Sequence, residues 1–116
     1  MRDEYIRQAE VVRVIDGDSV VLQIDAGFRM AFIGHCRLYG IDAPELREPG
    51  GKEARAALSE MLAAMGDRVT VKTYKPDKFG RYLVTIYTDS VQDNAPTVNQ
   101  RMVMAGYAKA YDGGQR

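Results

Sequence analysis

Between residues 11 and 24, valine, isoleucine and leucine alternate with polar residues or run together on either side of Asp16-Gly17-Asp18. Two β-rich runs flanking a turn-forming triplet predict a hairpin. Asp25-Ala26-Gly27 predicts a second turn, and residues 28–40 continue as a third strand. Period-two alternation puts Met30, Phe32, Gly34, Cys36 and Leu38 on one face of that strand, with Arg29, Ala31, Ile33, His35, Arg37 and Tyr39 on the other.

The pattern then changes. Residues 40–51 are rich in glycine, proline and charge, which predicts a loop, and residues 52–65 carry Ala, Leu and Met at helical spacing, with Gly66 placed to end the helix. Alternation returns over residues 68–74 and 81–88, separated by the charged loop 75–80, and a short helix is expected over residues 97–105, closed by Gly106. Three strands, a helix, two strands and a helix are the ingredients of a five-stranded OB-type β-barrel with helices, in which the first helix plugs one end. An α+β sandwich would use the same string of elements.

Composition narrows the class. A chain of 116 residues with 46% hydrophobic and 28% charged residues fits one globular domain, here taken as residues 1–116. Its apolar runs fall short of the roughly 20 residues needed to cross a bilayer, so no membrane association is expected. The N-terminus reads Met1-Arg2-Asp3-Glu4-Tyr5-Ile6-Arg7-Gln8, with charges where a secretory leader needs its apolar region, so the chain as written is expected to be cytoplasmic; it would be secreted if a leader had been removed. One cysteine, Cys36, and one histidine, His35, cannot make an intramolecular disulfide or a four-ligand thiolate-imidazole zinc site, so any metal must be held by oxygen. Cys36 reads as a small buried apolar residue. Lys plus Arg and Asp plus Glu both count 16, so a polyanionic partner would need a local cluster of cations.

Four blocks carry the candidate chemistry: Asp16-Gly17-Asp18-Ser19; Arg37-Leu38-Tyr39-Gly40-Ile41-Asp42-Ala43-Pro44-Glu45; Asp77-Lys78-Phe79-Gly80-Arg81; and Val98-Asn99 with Gly106-Tyr107-Ala108-Lys109. Taken alone, the first is a solvated hairpin turn and each arginine a solvated surface charge. Together they set two acidic clusters at strand ends beside Arg37, and carboxylates brought together on a barrel rim repel unless a cation separates them.

In this order and spacing the blocks closely resemble the staphylococcal nuclease family, over residues 11–111. The resemblance implies an OB-fold and a Ca²⁺-dependent nuclease that hydrolyses phosphodiester bonds of DNA and RNA, single strands preferred, leaving 3′-phosphate ends. It implies that Asp18, Asp42 and the Ala43 main-chain carbonyl hold Ca²⁺, with Asp16 in the surrounding shell bonded to a metal-bound water. Many members carry threonine where this chain has Ala43, a change that a carbonyl ligand survives. Glu45 matches the family's general base or water-orienting group, and Arg37 and Arg81 match the two arginines that grip the phosphate.

Lys78 is expected near the substrate, where with Lys75 it could supply local positive field. Tyr107 and Tyr111 are candidates for stacking on a base or for packing at the rim. The stretch where the family's best-known member has two tyrosines flanking the nucleotide reads Asp112-Gly113-Gly114 here. The competing reading is a weakly active or inactive interaction module of the same fold. Such a module has no need of a carboxylate pair, which repels phosphate.

Overall fold

The structure, a computed structural model, describes residues 5–88 and 95–111; the N-terminal residues 1–4 and the Asp112-Gly113-Gly114 stretch lie outside the described residues. Among the described residues, seven strands and two helices follow in the order β1 (Tyr5–Asp16), β2 (Ser19–Gly27), β3 (Met30–Leu38), β4 (Ile41–Asp42), α1 (Gly51–Ala63), β5 (Arg68–Pro76), β6 (Tyr82–Tyr87), α2 (Val98–Met104) and β7 (Lys109–Ala110). Five of the strands close a barrel in the order β1-β2-β3-β6-β5, the expected OB-type architecture. Among the described residues, no helix is long and apolar enough to cross a membrane.

The hairpin at Asp16-Gly17-Asp18 forms as expected, Asp16 standing opposite Ser19. Strand β1 starts at Tyr5, earlier than the alternation suggests, because residues 5–10 pair with β5, Ala9 meeting Val69 and Tyr5 meeting Thr73. A partner about sixty residues away leaves no local trace among Arg7, Gln8 and Glu10. The second turn is displaced from Asp25-Ala26-Gly27. Gly27 stands opposite Met30, and Phe28 and Arg29 make a two-residue turn with φ of 53° and 63°, the left-handed conformation that matches strand twist in a tight hairpin. The third strand therefore begins at Met30, and only the lower part of its expected inward face, Cys36 and Leu38, is fully buried.

The two short strands β4 and β7 are absent from the sequence reading. Ile41 pairs with Ala110 and Asp42 with Lys109, a ladder too short to show periodicity. The core is a continuous cluster in which Val20, Leu22, Leu38, Val71, Val84 and Ile86 come from the barrel and Leu58, Leu62 and Met102 from the helices. Helix α1 seats against the β1–β2 turn through Gly17, where an added Cβ would lie 2.6 Å from the Ala54 Cβ and 3.0 Å from the Ala43 Cβ. Cys36 is fully buried, and burial pushes its thiol up to about 11, which fits the apolar role read from sequence.

The barrel closes through its one parallel pairing among the described residues: Cys36, Arg37 and Leu38 on β3 stand opposite Tyr82, Leu83 and Val84 on β6. Asn99, on α2 and only 4% exposed, locks this seam. Its Nδ2 donates to the Tyr39 carbonyl at 2.8 Å and the Val84 carbonyl at 3.0 Å, and its Oδ1 accepts the Ile86 N–H at 3.0 Å. Thr97 caps α2 by a reciprocal capping box with Gln100, which fixes where the helix delivers Asn99.

Truncation of Asn99 leaves the buried Ile86 N–H and the half-buried Tyr39 carbonyl without that partner, while the Val84 carbonyl keeps the Tyr39 N–H; each group left unpaired costs about 1–3 kcal/mol. The Asn99→Ala variant is expected to lose about 3 kcal/mol, a fall of roughly 10–15 °C in Tm. Thermal denaturation measures it, and a loss under about 1 kcal/mol would show that the seam holds without the amide.

Candidate active site

One cleft of about 720 Å³ runs along the barrel rim between the β1–β2 turn, the β3–β4 corner, the β5–β6 turn and the segment before β7. Asp16, Asp18, Arg37, Asp42, Ala43, Glu45, Arg81 and Tyr107 all line it, so the residues singled out from three separate acidic or basic blocks meet in space.

Asp18 sits at its floor, 4% exposed. Its Oδ2 accepts the Ala43 N–H at 2.9 Å and its Oδ1 the Ser19 hydroxyl at 3.1 Å, while its main-chain carbonyl accepts the Leu38 N–H at 2.8 Å. These bonds pin the β1–β2 turn to both β3 and the Ala43 segment. Asp42 is presented by the β4–β7 ladder, opposite Lys109. Between the two carboxylates lies the Arg37 guanidinium, with Nη2 3.6 Å from Asp18 Oδ2 and 3.2 Å from Asp42 Oδ1. The same Nη2 donates to the Ile41 carbonyl at 3.1 Å. The Arg37 guanidinium thus offsets part of the mutual repulsion of the two carboxylates.

Glu45 is more exposed, on a loop tied down on either side. Leu46 N–H donates to Asp16 Oδ1 at 2.9 Å, and Glu45 N–H to Glu48 Oε1 at 2.7 Å. The Glu45 side chain itself is 64% exposed, 3.8 Å from the still more solvated Arg47. Asp16 therefore acts here as an anchor for the loop that carries Glu45.

Arg81 enters from the β5–β6 turn. Asp77 Oδ2 accepts from its Nη2 at 2.8 Å and its Nε at 3.0 Å, and Asp77 Oδ1 accepts the main-chain N–H groups of Phe79 and Arg81. Gly80, at φ 81°, completes this tight turn. Burial alone would raise the Asp77 pKa. The two main-chain hydrogen bonds, the Arg81 side-chain bond and the Arg81 charge outweigh it and hold the carboxyl below its ordinary value. Asp77 was visible within its sequence block, but its part in aiming Arg81 was not. An acid four residues before an arginine, with a glycine between, is the signal.

The remaining candidates spread out. Tyr107 lines the cleft at 37% exposure, whereas Tyr111 and Lys78 do not line it. The Tyr111 ring lies 5.5 Å from the Arg37 guanidinium carbon, and the Lys78 ammonium sits 5.4 Å from the Phe79 ring. Sequence reasoning passed over Glu48 and Glu53 and gave Lys109, quoted within the fourth block, no role; all three line the cleft. They come from a loop, a helix start and a two-residue strand, none of which betrays its neighbours.

A metal fits this donor set in kind: the available groups are hard carboxylate and carbonyl oxygens, which suit Ca²⁺. Among the described residues no group of three or more His, Cys, Asp or Glu side chains is placed to hold an ion. A cation at Asp18 and Asp42 would therefore complete its shell with main-chain carbonyl and water.

Residues 35–116 match the family model described as staphylococcal nuclease homologue. The chain is 39% identical over 79 residues to the probable staphylococcal-like nuclease CAN2 of Oryza sativa subsp. japonica, covering 66% of this chain and 20% of that protein. It is 36% identical over 108 residues to protein ParB of Escherichia coli, covering 90% and 57%, and 32% identical over 108 residues to a micrococcal nuclease of Shigella flexneri, covering 90% and 58%. The chain thus spans between a fifth and three fifths of the length of these relatives.

The Asp77–Arg81 pair makes a prediction about pH. A carboxyl held below its ordinary value when folded stabilises the fold above the ordinary carboxylate range, about pH 4, and that stabilisation is lost as pH falls through the lowered value. The parent should melt a few degrees above Asp77→Asn at pH 7, with the gap closing toward pH 2–3. Melting curves of both proteins across that range measure it, and a constant gap would deny the ion pair its role.

Proposed function

The chain belongs to the staphylococcal nuclease family, and on that premise we propose that it is a Ca²⁺-dependent nuclease hydrolysing phosphodiester bonds of DNA and RNA, single strands preferred, to leave 3′-phosphate ends. The observation that carries the reading is the convergence of Asp18, Arg37, Asp42, Glu45 and Arg81 on one cleft from three separate sequence blocks.

Hydrolysis of a phosphodiester needs a water made nucleophilic on one side of phosphorus and charge stabilised on the transferring oxygens. Glu45, solvated yet fixed at its main chain, suits acceptance of the proton from an attacking water. Arg37 and Arg81 present planar forks to the phosphate oxygens. Each is oriented in advance by carboxylates, Arg37 by Asp18 and Asp42 and Arg81 by Asp77, so little reorganisation attends the reaction. Asp18, Asp42 and the Ala43 carbonyl would hold Ca²⁺, and Asp16 supports them by fixing the neighbouring loop. When bound, the ion supplies positive charge against the phosphate oxygens and the attacking water. Tyr107 borders the same cleft and is suited to contact the nucleotide, with Tyr111 backing Arg37 and Lys78 adding positive field at the β5–β6 turn.

Incubation of the protein with labelled single-stranded DNA and RNA in Ca²⁺, in Mg²⁺ and in chelator is the direct test. Cleavage in Ca²⁺ that chelator abolishes is expected, and a protein that binds the strands without cutting them would be an interaction module instead. The ligand assignment separates two variants: Asp42→Asn should lose calorimetric Ca²⁺ binding and activity together, while Glu45→Gln should keep Ca²⁺ and lose turnover. Unchanged Ca²⁺ affinity in Asp42→Asn would overturn the assignment even if cleavage occurs.

Arg81→Lys keeps the charge and removes the fork. Single-turnover cleavage is expected to slow roughly a hundredfold, the scale of losing one oriented donor, with much less change in substrate affinity. Near-parental turnover in a folded variant would remove Arg81 from the reaction.

A further inference from the structure

Side chains directly opposite one another on paired strands share a face, so the register of β1, β2 and β3 sorts the barrel wall into rows. Asp16 stands opposite Ser19 and Ser19 opposite Arg37, and all three line the cleft. The next row, Val14, Val20 and Cys36, points inward and is buried in the core. Alternation then turns the row after it outward: Arg13 on β1, Val21 on β2 and His35 on β3. Arg13 and His35 are exposed on either side of the half-buried Val21. Val21 and His35 lie two residues along their strands from Ser19 and Arg37. That is about 7 Å, of the order of one nucleotide step along an extended strand.

The charges around this outer row come from several elements. Burial and the charges of Arg81 and Arg13 hold His35 below its ordinary pKa, against the opposing pull of Asp16 and Asp77. Arg37 stands two residues along β3, and Arg55 of α1 is held beside Arg13 by a bond from its Nε to the Val14 carbonyl at 3.2 Å. Both acids are committed elsewhere. Asp16 Oδ1 accepts the Leu46 N–H, and Asp77 uses its two oxygens on Arg81 and on the turn that carries it. Arg13 and His35 belong to two strands separated by β2, so their side chains flank one shallow strip of wall over Val21. An imidazole N–H and a guanidinium set that far apart can both donate to one phosphate group.

We propose that Arg13 and His35 form a second phosphate subsite on the outer wall of the barrel. It takes a neighbouring phosphate of the strand whose scissile phosphate lies in the cleft between Arg37 and Arg81. The identity of the ligand rests on the nuclease reading; the placement of the two residues beside the cleft does not. The subsite has a signature that a solvated surface charge lacks. A phosphate set against the His35 ring favours imidazolium, so the strand binds together with a proton and binds more tightly as pH falls through the histidine range.

The test uses a labelled single-stranded dodecanucleotide in chelator, with fluorescence anisotropy across pH and salt and an NMR titration of the histidine ring. His35 is the chain's one histidine, so its ring signal is unambiguous. Its pKa is expected to rise by about one unit in the complex, which makes binding several-fold tighter at pH 5.5 than at pH 8, toward a limit of about tenfold. His35→Gln should lose this pH dependence. Arg13→Gln should keep it and lower the slope of log affinity against log salt by about one, as for one lost phosphate contact. Melting curves establish that both variants fold. Each of four results would overturn the subsite: no binding in chelator, a His35 pKa that the strand does not move, a pH dependence that survives in His35→Gln, or a parental salt slope in Arg13→Gln. Cleavage in Ca²⁺ is scored separately. A parent that cuts nothing while the strand raises the His35 pKa and Arg13→Gln loses salt slope supports the subsite and sinks the nuclease reading. A parent that cuts while the His35 pKa and the Arg13→Gln slope stay put does the reverse.

Discussion

The parallel seam between β3 and β6 is the constraint on which the site depends. Only three residue pairs make it, and parallel pairing is slightly weaker per residue than antiparallel. The seam holds because it is braced from outside the ladder: Tyr39 N–H donates to the Val84 carbonyl at 2.7 Å, and the Asn99 amide bridges Tyr39, Val84 and Ile86. Without this closure Arg37, on β3, and Arg81, just before β6, would sit on opposite edges of an open sheet. With it they lie two register positions apart on adjoining strands, since Tyr82 stands opposite Cys36.

Charge is arranged locally where the whole molecule has none. The arginines of the cleft are held by carboxylates at short range. Asp77 spends both oxygens on Arg81 and on the turn that carries it, and Asp18 spends its oxygens on Ala43 and Ser19 with Arg37 alongside. Long side chains lose rotamer freedom when they grip a ligand, and partners that fix them beforehand lower that cost at the moment of binding. The same carboxylates crowd at the floor of the cleft, where Arg37 offsets their mutual repulsion.

Much of this was legible along the chain. The Asp16-Gly17-Asp18 hairpin, helix α1 and its stop at Gly66, strands β5 and β6, and α2 with its Gly106 end all announce themselves through local period and turn chemistry. The five residues that meet in the cleft were readable from their blocks and order, as was the closed barrel. Less was legible where pairing is non-local. The first residues of β1 are strand because β5 lies beside them, and β4 and β7 exist only as each other's partner. Phe28 and Arg29 form a turn that a glycine-based reading places too early, because hairpin register overrides the residue preference at that position.

The sequence by itself determined which segments are strands and helices, the family they resemble, and which side chains are candidates for chemistry, because period, turn residues and motif order are local properties. Tertiary structure alone decided what those side chains touch. That Arg37 lies between Asp18 and Asp42, that Asp16 holds the Glu45 loop through Leu46, that Asp77 aims Arg81, and that the Phe32 and Tyr82 rings meet edge to face are facts of closure and register. Distance along a chain carries no information about them until the barrel closes and sets residues from all five strands around one axis.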